Sequence, residues 1–427
     1  MKFCIITFGC KVNSYESEFT KEDFLKNGFK YTDDYKTSDI VIVNTCSVTN
    51  RADSKCLQMI RDIRRDNKDC VLVLMGCMCE NHKEELLKYD VDILIGNKEK
   101  NIVLELVENY LKDHKKYVRF YKSSEKEFED MKVSLYDDLT RAYVKIQDGC
   151  NNYCTYCIIP YLRGNIRSKE FDKAVKEVED LVKAGHKEIV FTGIDTGSYG
   201  KETGKFDLTD LIREVSKIDG LERIRLSSIE ITEINDKFVS EMKNNPKLCP
   251  HLHISLQSGS AKILKLMNRK YTKEEYLERV NKLKNAREDI NFTTDVIVGF
   301  PNETEEDFLE CIDFVKEVGF SKLHVFPYSI RTGTKAEKMD GHLPNEVKKE
   351  RARRLIKVSD ELGMIYNSKF IGKEVSLLVE EYKNGYSIGH TNNFLRVRVK
   401  GELEKNRVVN VLIKRVDSKT LDGEIVE

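Results

Sequence analysis

Short, continuously apolar runs alternate with amphipathic stretches through the N-terminal third of this chain. KFCIITF, DIVIVN, CVLVLM and VDILI are rich in β-branched residues and too brief for helices, which predicts strands. Between them, stretches such as YESEFTKEDFLKNG carry helical periodicity, with Gly28 placed to close the helix. Strands apolar at every position are buried on both faces. The βαβα rhythm therefore predicts an α/β unit, a doubly wound parallel sheet covered by helices.

A charged stretch without clear periodicity, from about Lys112 to Asp138, reads as a linker. Beyond it AYVKIQ, EIVFTG, ERIRLSS, HLHISLQ, NFTTDVIVG and KLHVFPYS are predicted strands that alternate with helical signals. Six βα units fall short of the eight of a full TIM barrel and predict a partial (β/α)6 barrel with an open side. In HLHISLQ, Leu252, Ile254 and Leu256 share one face and His251, His253, Ser255 and Gln257 the other. In ERIRLSS, Ile224 and Leu226 oppose Arg223, Arg225 and Ser227. With the apolar faces against outer helices, the polar faces line the lumen, which points to a bound ligand; a hydrogen-bonded core residue is the plainer alternative for each.

From about Phe370 the pattern changes again. EVSLLVEEY, YSIGHT, FLRVRVKG and VVNVLIKRVD read as short antiparallel strands. Leu395, Val397 and Val399 face inward, leaving Arg396, Arg398 and Lys400 as a basic ladder that can follow a phosphate backbone or be an ordinary solvated face. Upstream, KKERARRLIK is a basic helix, either an aid to nucleic-acid docking or a solvated linker helix.

Composition narrows the classes. The 427 residues suffice for two or three domains, and Lys plus Arg equals Asp plus Glu at 72 each, so no global field draws the chain to a polyanion. No apolar run approaches a membrane span, and the N-terminal one is too short for a secretory signal. A cytoplasmic protein is expected, in which twelve Cys are metal ligands or buried thiols rather than disulfides.

Cys150, Cys154 and Cys157, in GCNNYCTYC, have the C-x-x-x-C-x-x-C spacing that holds three irons of a 4Fe-4S cluster and leaves the fourth open for chemistry. A zinc site or buried thiols are the alternatives. Cys10, Cys46 and Cys77 each follow a predicted strand of the N-terminal sheet. In an open parallel sheet those ends share one edge, so a second three-thiolate site is expected there. Cys79 is close enough in sequence to compete with Cys77. Cys4, Cys56, Cys70, Cys249 and Cys311 lack a partner pattern and read as packing.

With both triads placed, TFGCKVNSYES, VNTCSVTNRADSKC, KIQDGCNNYCTYCIIPYLRG, HLHISLQSG, DVIVGFPNETEEDF and HVFPYSIRTGT together resemble the methylthiotransferase family of radical S-adenosylmethionine (SAM) enzymes. The resemblance implies a cluster domain over residues 1–112, a radical SAM core over 136–367 and a small RNA-binding TRAM β-barrel over 370–427. It implies two 4Fe-4S clusters and SAM as cofactors, with Tyr156, Gly193, Gln257 and Gly299 as candidate SAM contacts. KVNSYES, NTCSVT and SIRTGT look most like members acting on N6-threonylcarbamoyladenosine beside the tRNA anticodon. The alternatives are members acting on isopentenyladenosine or on a ribosomal-protein aspartate, which differ around the first cysteine. In the implied reaction a methylated sulfur on the Cys10/Cys46/Cys77 cluster goes to adenine carbon 2, after SAM cleavage at the other cluster gives a 5'-deoxyadenosyl radical. Implied partners are tRNA and an electron donor such as flavodoxin or ferredoxin; the sulfur donor is left open. Arg225 is a candidate reader of the threonylcarbamoyl carboxylate. A non-catalytic iron–sulfur RNA binder is the rival class, and it would favour closed four-thiolate sites.

Overall fold

A computed structural model of the protein describes residues 1–120, 127–136 and 140–426. The N-terminal sheet contains β1 (Lys2–Thr7), β2 (Lys30–Tyr31), β3 (Ile40–Thr45), β4 (Val71–Gly76), β5 (Ile93–Ile95) and β6 (Tyr117–Arg119). Its order is β2-β1-β3-β4-β5-β6 and every pairing is parallel. The helices are α1 (Lys11–Lys26), α2 (Asn50–Asp66), the short α3 (Cys77–Asn81) and α4 (Lys83–Leu86), and α5 (Val103–Asp113). Ile40 and Ile42 of β3 pack with Phe24 of α1 and Leu106 of α5, while Val41 and Val43 pack with Ile60 and Ile63 of α2. The sheet is thus doubly wound, and its topological switch lies between β1 and β3.

This sheet runs through β6, into the stretch expected to be a linker and past the boundary expected at 112. The next described segment is a strap: Met131, Val133 and Tyr136 are buried in the central core, and the Tyr15 hydroxyl donates to the Met131 carbonyl at 2.6 Å. Residues 121–126 and 137–138 of the expected linker lie outside the described residues.

The central unit has six parallel strands, β7 (Arg141–Lys145), β10 (Glu188–Thr192), β11 (Arg223–Leu226), β12 (His251–His253), β13 (Asn291–Val298) and β14 (Lys322–Pro327), with a small hairpin of β8 (Gln147–Asp148) and β9 (Arg167–Ser168). They form sheets β7-β10-β11 and β12-β13-β14, joined only by single bridges such as Ile229 to Ile254. The curved wall is therefore a partial barrel. Around it lie α6 (Ile159–Arg163), α7 (Phe171–Lys183), α8 (Leu208–Val215), α9 (Asp236–Asn244), α10 (Ala261–Leu266), α11 (Lys273–Ala286), α12 (Glu305–Val318) and α13 (Asn345–Ser368). Ile224, Leu226, Leu252 and Ile254 join the outer core, as the alternation predicts.

The C-terminal strands β15 (Glu374–Lys383), β16 (Tyr386–Thr391), β17 (Arg396–Lys400), β18 (Val408–Val416) and β19 (Leu421–Ile425) close a barrel in the order β15-β16-β17-β19-β18. β17 and β19 pair parallel, a departure from the all-antiparallel expectation, while the other pairings are antiparallel. The basic helix predicted upstream is α13; Lys348 and Arg351 are on its packed face, while Lys349, Arg353 and Lys357 are exposed. Arg351 is buried and donates to the Glu303 carboxylate at 2.6 Å, and Arg354 reaches Glu305 at 2.6 Å.

The loop between β16 and β17 forms the floor of the central lumen. Phe394 stacks on His251 at 4.7 Å and on His390 at 4.5 Å, with the Arg225 guanidinium 4.7 Å from its ring centre. Arg225 donates to the carbonyls of Asn392 at 3.1 Å and Thr391 at 3.3 Å, and to Glu188 at 2.7 Å. Arg225 therefore faces the lumen as expected, but its donors are engaged by protein. It is a structural residue rather than a reader of the substrate carboxylate. Glu188 also accepts from Arg141 at 2.7 Å. Burial alone would raise its carboxyl, but Arg225 and Arg141 outweigh that and hold it well below the usual range.

Glu188→Ala leaves buried guanidinium groups without their shared anion and is expected to destabilise the fold by about 3–5 kcal/mol at neutral pH. Because the folded-state carboxyl is depressed, this contribution is present above its unfolded pKa of about 4.3 and is lost as pH falls below it. Thermal unfolding of variant and wild type should converge in acid; an equal gap at every pH would contradict the assignment.

Candidate active site

Cys10 caps the start of α1 directly after β1, Cys46 follows β3, and Cys77 opens α3 directly after β4. Three neighbouring strands thus deliver three thiols to one edge, around the switch point where such sheets bind ligands. A glycine at positive φ precedes two of them, Gly9 at 112° and Gly76 at 107°. A Cβ on Gly76 would lie 2.6 Å from the Thr45 carbonyl oxygen, so only glycine lets β4 turn into its cysteine there. Asn13 ties the edge together, its amide donating to the carbonyls of Phe8 at 2.8 Å and Thr45 at 2.9 Å. Burial pushes the Cys46 thiol up to about 12, and the neighbouring Cys77 and Cys10 add to it. The Cys77 sulfur lies 3.5 Å from Asn97 Oδ1.

Cys79 is not part of this group. It is fully buried among Val41, Val43, Cys56 and Ile60, with the Thr45 hydroxyl 3.6 Å from its sulfur. Cys4, Cys56, Cys70, Cys249 and Cys311 are also buried in the packed interior, as expected.

Cys150, Cys154 and Cys157 occupy the loop between β8 and α6. The Asn152 backbone N–H points at the Cys150 sulfur at 3.5 Å, and an Arg269 N–H donates to the Cys154 sulfur at 3.3 Å. Burial drives the Cys150 thiol far up, reinforced by Asp195, and pushes Cys157 up to about 12, reinforced by Cys154. Among the described residues no three His, Cys, Asp or Glu side chains close on a single-ion position. Each donor set, soft and three-membered, fits a 4Fe-4S cluster.

A cavity of about 1000 Å³ runs from Cys10 and Lys11 past Gly193, His253 and His324 to Phe394. Gly193 is thus the SAM-contact candidate that borders it, while Gln257 and Gly299 follow β12 and β13 along the same rim. Gln257 has φ +70° and its backbone bridges to Val296. The Gly299 N–H donates to Glu303 at 2.8 Å, and Tyr156 packs beside Phe300 and Tyr328. On the C-terminal barrel, Arg396 and Lys400 are exposed, with Arg396 3.6 Å from Glu381. Arg398 is tied to Asp422 at 3.1 Å, so the ladder is less free than its alternation implies.

A buried ionic network bolts the triads together. Glu16 of α1 accepts from Lys100, from Lys145 at 2.8 Å and from Arg163 at 3.1 Å. Arg163 also donates to Asp148 at 3.1 Å and to Asn13 at 2.9 Å. Burial would lower the Arg163 pKa, but Cys77, Glu16 and Asp148 raise it well above its ordinary value. The sequence reading missed Lys11, Glu16, Arg163 and Arg269. Lys11 and Glu16 lie in KVNSYES and Arg163 in YLRG, but their partners come from remote segments that no spacing reveals.

The partial barrel and its cysteine loop define a radical SAM enzyme. Residues 144–315 match the profile described as the radical SAM superfamily, and residues 2–96 match one described as uncharacterized protein family UPF0004. The radical SAM methyltransferase TsrM from Kitasatospora setae shares the fold with a TM-score of 0.57 at 15% identity, over 76% of this chain and 72% of that one. The protein named threonylcarbamoyladenosine tRNA methylthiotransferase MtaB from Bacillus subtilis is 40% identical over 98% of this chain and 95% of its own. Its namesake from Thermotoga maritima is 39% identical over 99% and 95%. The tRNA-2-methylthio-N(6)-dimethylallyladenosine synthase of Acetivibrio thermocellus is 38% identical over 99% and 91%. The chain belongs to the radical SAM tRNA methylthiotransferase family, whose cofactors are SAM and 4Fe-4S clusters.

Cys77→Ser is expected to cut bound iron in reconstituted protein from about eight to about four atoms per chain, whereas Cys79→Ser retains about eight. The reverse result, measured by iron analysis, would move the ligand role to Cys79.

Proposed function

We propose that the protein adds a methylthio group to carbon 2 of N6-threonylcarbamoyladenosine at position 37 of tRNA, next to the anticodon. The observation that carries this reading is the convergence of two three-thiolate sites across the buried Glu16 network, with Cys10 opening on the lumen that Gly193 borders. Two sites with three thiols each favour chemistry over the closed four-thiolate staples of a structural iron–sulfur protein.

Cys10, Cys46 and Cys77 hold one cluster, and Cys150, Cys154 and Cys157 hold the cluster that binds SAM. When bound, these groups supply one-electron chemistry and a sulfur carrier, which an aromatic C–H without an acid–base handle requires. Gly193, which borders the lumen and packs on Gln147, would contact SAM on the barrel rim together with Tyr156, Gln257 and Gly299. Arg269 and Asn152 orient the SAM-binding loop through Cys154 and Cys150. Arg163 keeps a positive charge beside Cys77 and Cys10 and holds α6 against α1.

The N-terminal sheet with its helices, through β6, acts as the cluster domain, the partial barrel with its buried strap and α13 as the radical core, and residues 370–427 as a TRAM domain that grips tRNA. Arg396 and Lys400 are the exposed contacts and Arg398 a weaker one. The reaction takes electrons from a donor such as flavodoxin or ferredoxin in the cytoplasm. Among the described residues no helix is long and apolar enough to cross a membrane. Isopentenyladenosine is the second substrate reading, carried by relatives such as that of Acetivibrio thermocellus. The lumen favours the first, because histidines and a lysine suit a carboxylate-bearing base better than a prenyl chain.

Nucleoside mass spectrometry of tRNA from cells with and without this gene tests the proposal. The methylthio form of threonylcarbamoyladenosine should vanish from the deletion strain while its unthiolated parent accumulates. Loss of methylthio-isopentenyladenosine instead would transfer the assignment to the second substrate.

A further inference from the structure

The arginines around the lumen floor are already matched. Arg225 and Arg141 share Glu188, and Arg225 also meets two backbone carbonyls of the C-terminal barrel. Lys11 is different. It is exposed and borders the cavity, and it makes no hydrogen bond or ion pair with any of the described residues. Its charge is felt across the lumen by His251 and His324, and it in turn feels Arg225 and Arg141. Glu188 also acts on it, less strongly than either arginine and already shared between them, so an ammonium group bordering the cavity with no carboxylate bonded to it is placed to receive an anion. Of the histidines nearby, His253 is engaged by Asp295 at 3.3 Å and Thr293 at 2.9 Å, His251 meets the Thr293 hydroxyl at 3.2 Å, and His324 packs against the His253 ring at 5.5 Å. Lys322 begins β14 and so lies toward the opposite end of the barrel from the triads.

Lys11 also directly follows Cys10, so whatever it holds lies beside the N-terminal triad. In N6-threonylcarbamoyladenosine the carboxylate hangs from N6, and a single ring atom separates the carbon bearing N6 from carbon 2. A lysine stem reaching past the ring edge can hold that carboxylate while carbon 2 faces the triad.

We propose that Lys11 binds the threonyl carboxylate of the substrate base and thereby selects a carboxylate-bearing adenosine over a prenylated one. The inference rests on the substrate assigned under Proposed function and names the residue that enforces it. A prenyl group would offer the ammonium no partner and would strip it of water without compensation. Lys11 is a specificity residue: it acts on binding, while the reacting carbon is served by the two triads.

The test is steady-state kinetics of the reconstituted holoenzyme on three tRNA substrates: one with the natural threonylcarbamoyl carboxylate, one with that carboxylate converted to a carboxamide, and one carrying isopentenyladenosine. Wild type should prefer the acid by about ten- to a hundredfold in kcat/KM, chiefly through KM, the worth of one charge-assisted hydrogen bond. Lys11→Gln, with iron content matching wild type, should treat acid and amide alike, and Lys11→Arg should restore a preference for the acid. A Lys11→Gln enzyme that keeps the full wild-type preference overturns the inference, while its turnover of the acid leaves the substrate assignment standing. A wild type indifferent to acid and amide overturns it without any variant. A wild type active only on isopentenyl-tRNA overturns the inference and the substrate assignment together.

Discussion

Glu16 is a fully buried carboxylate on the first helix, and its partners come from three places: Lys100 from its own domain, Lys145 from the first barrel strand and Arg163 from the helix after the radical cysteine loop. A lone charge at that depth is prohibitive, and so is each cation without it. The network therefore forms complete or not at all, and only when the N-terminal sheet edge sits over the barrel. Through Asn13 and Arg163 it fixes how Cys10 and Cys77 lie relative to the loop of Cys150, Cys154 and Cys157. Chemistry that passes a group between two clusters needs such a fixed relation. A buried ion pair is a poor source of stability but a strong source of specificity here, because it rejects every domain arrangement that leaves a member unpaired.

A second constraint acts from the opposite end. The lumen of a closed barrel is filled by branched apolar side chains. Here Glu188, Arg225, Arg141 and His251 occupy it, and the C-terminal barrel satisfies them by inserting Phe394 and offering the carbonyls of Thr391 and Asn392. The proposed RNA-gripping unit is thus also the floor of the reaction chamber. A base entering the chamber meets a wall in which the arginines are neutralised and Lys11 is not.

Much of this was legible in the sequence. Runs such as DIVIVN are too short and too β-branched to be anything but buried strands, and the position of each cysteine after one of them follows from the chain order alone. The alternation in ERIRLSS correctly turned Arg223 and Arg225 inward. Their role was not legible, because the carbonyls they bind come from the far end of the chain. The stretch after Lys112 misled for another reason. YVR is too brief to carry periodicity, and Met131 and Val133 sit among charges, so a sixth strand and a buried strap resemble a linker. Cys77 and Cys79 could not be separated by spacing; helix geometry turns one to the sheet edge and the other into the core.

Transfer of a methylthio group between the two sites requires two three-thiolate clusters held in register and open toward one chamber. Anomalous iron scattering from a crystal of the reconstituted protein with SAM tests it most directly. Two four-iron sites are expected, one bounded by Cys10, Cys46 and Cys77 and the other by Cys150, Cys154 and Cys157, each presenting its unligated iron to the lumen above Phe394. A fourth protein ligand on either cluster, or open irons facing opposite sides of the Glu16 network, would contradict it.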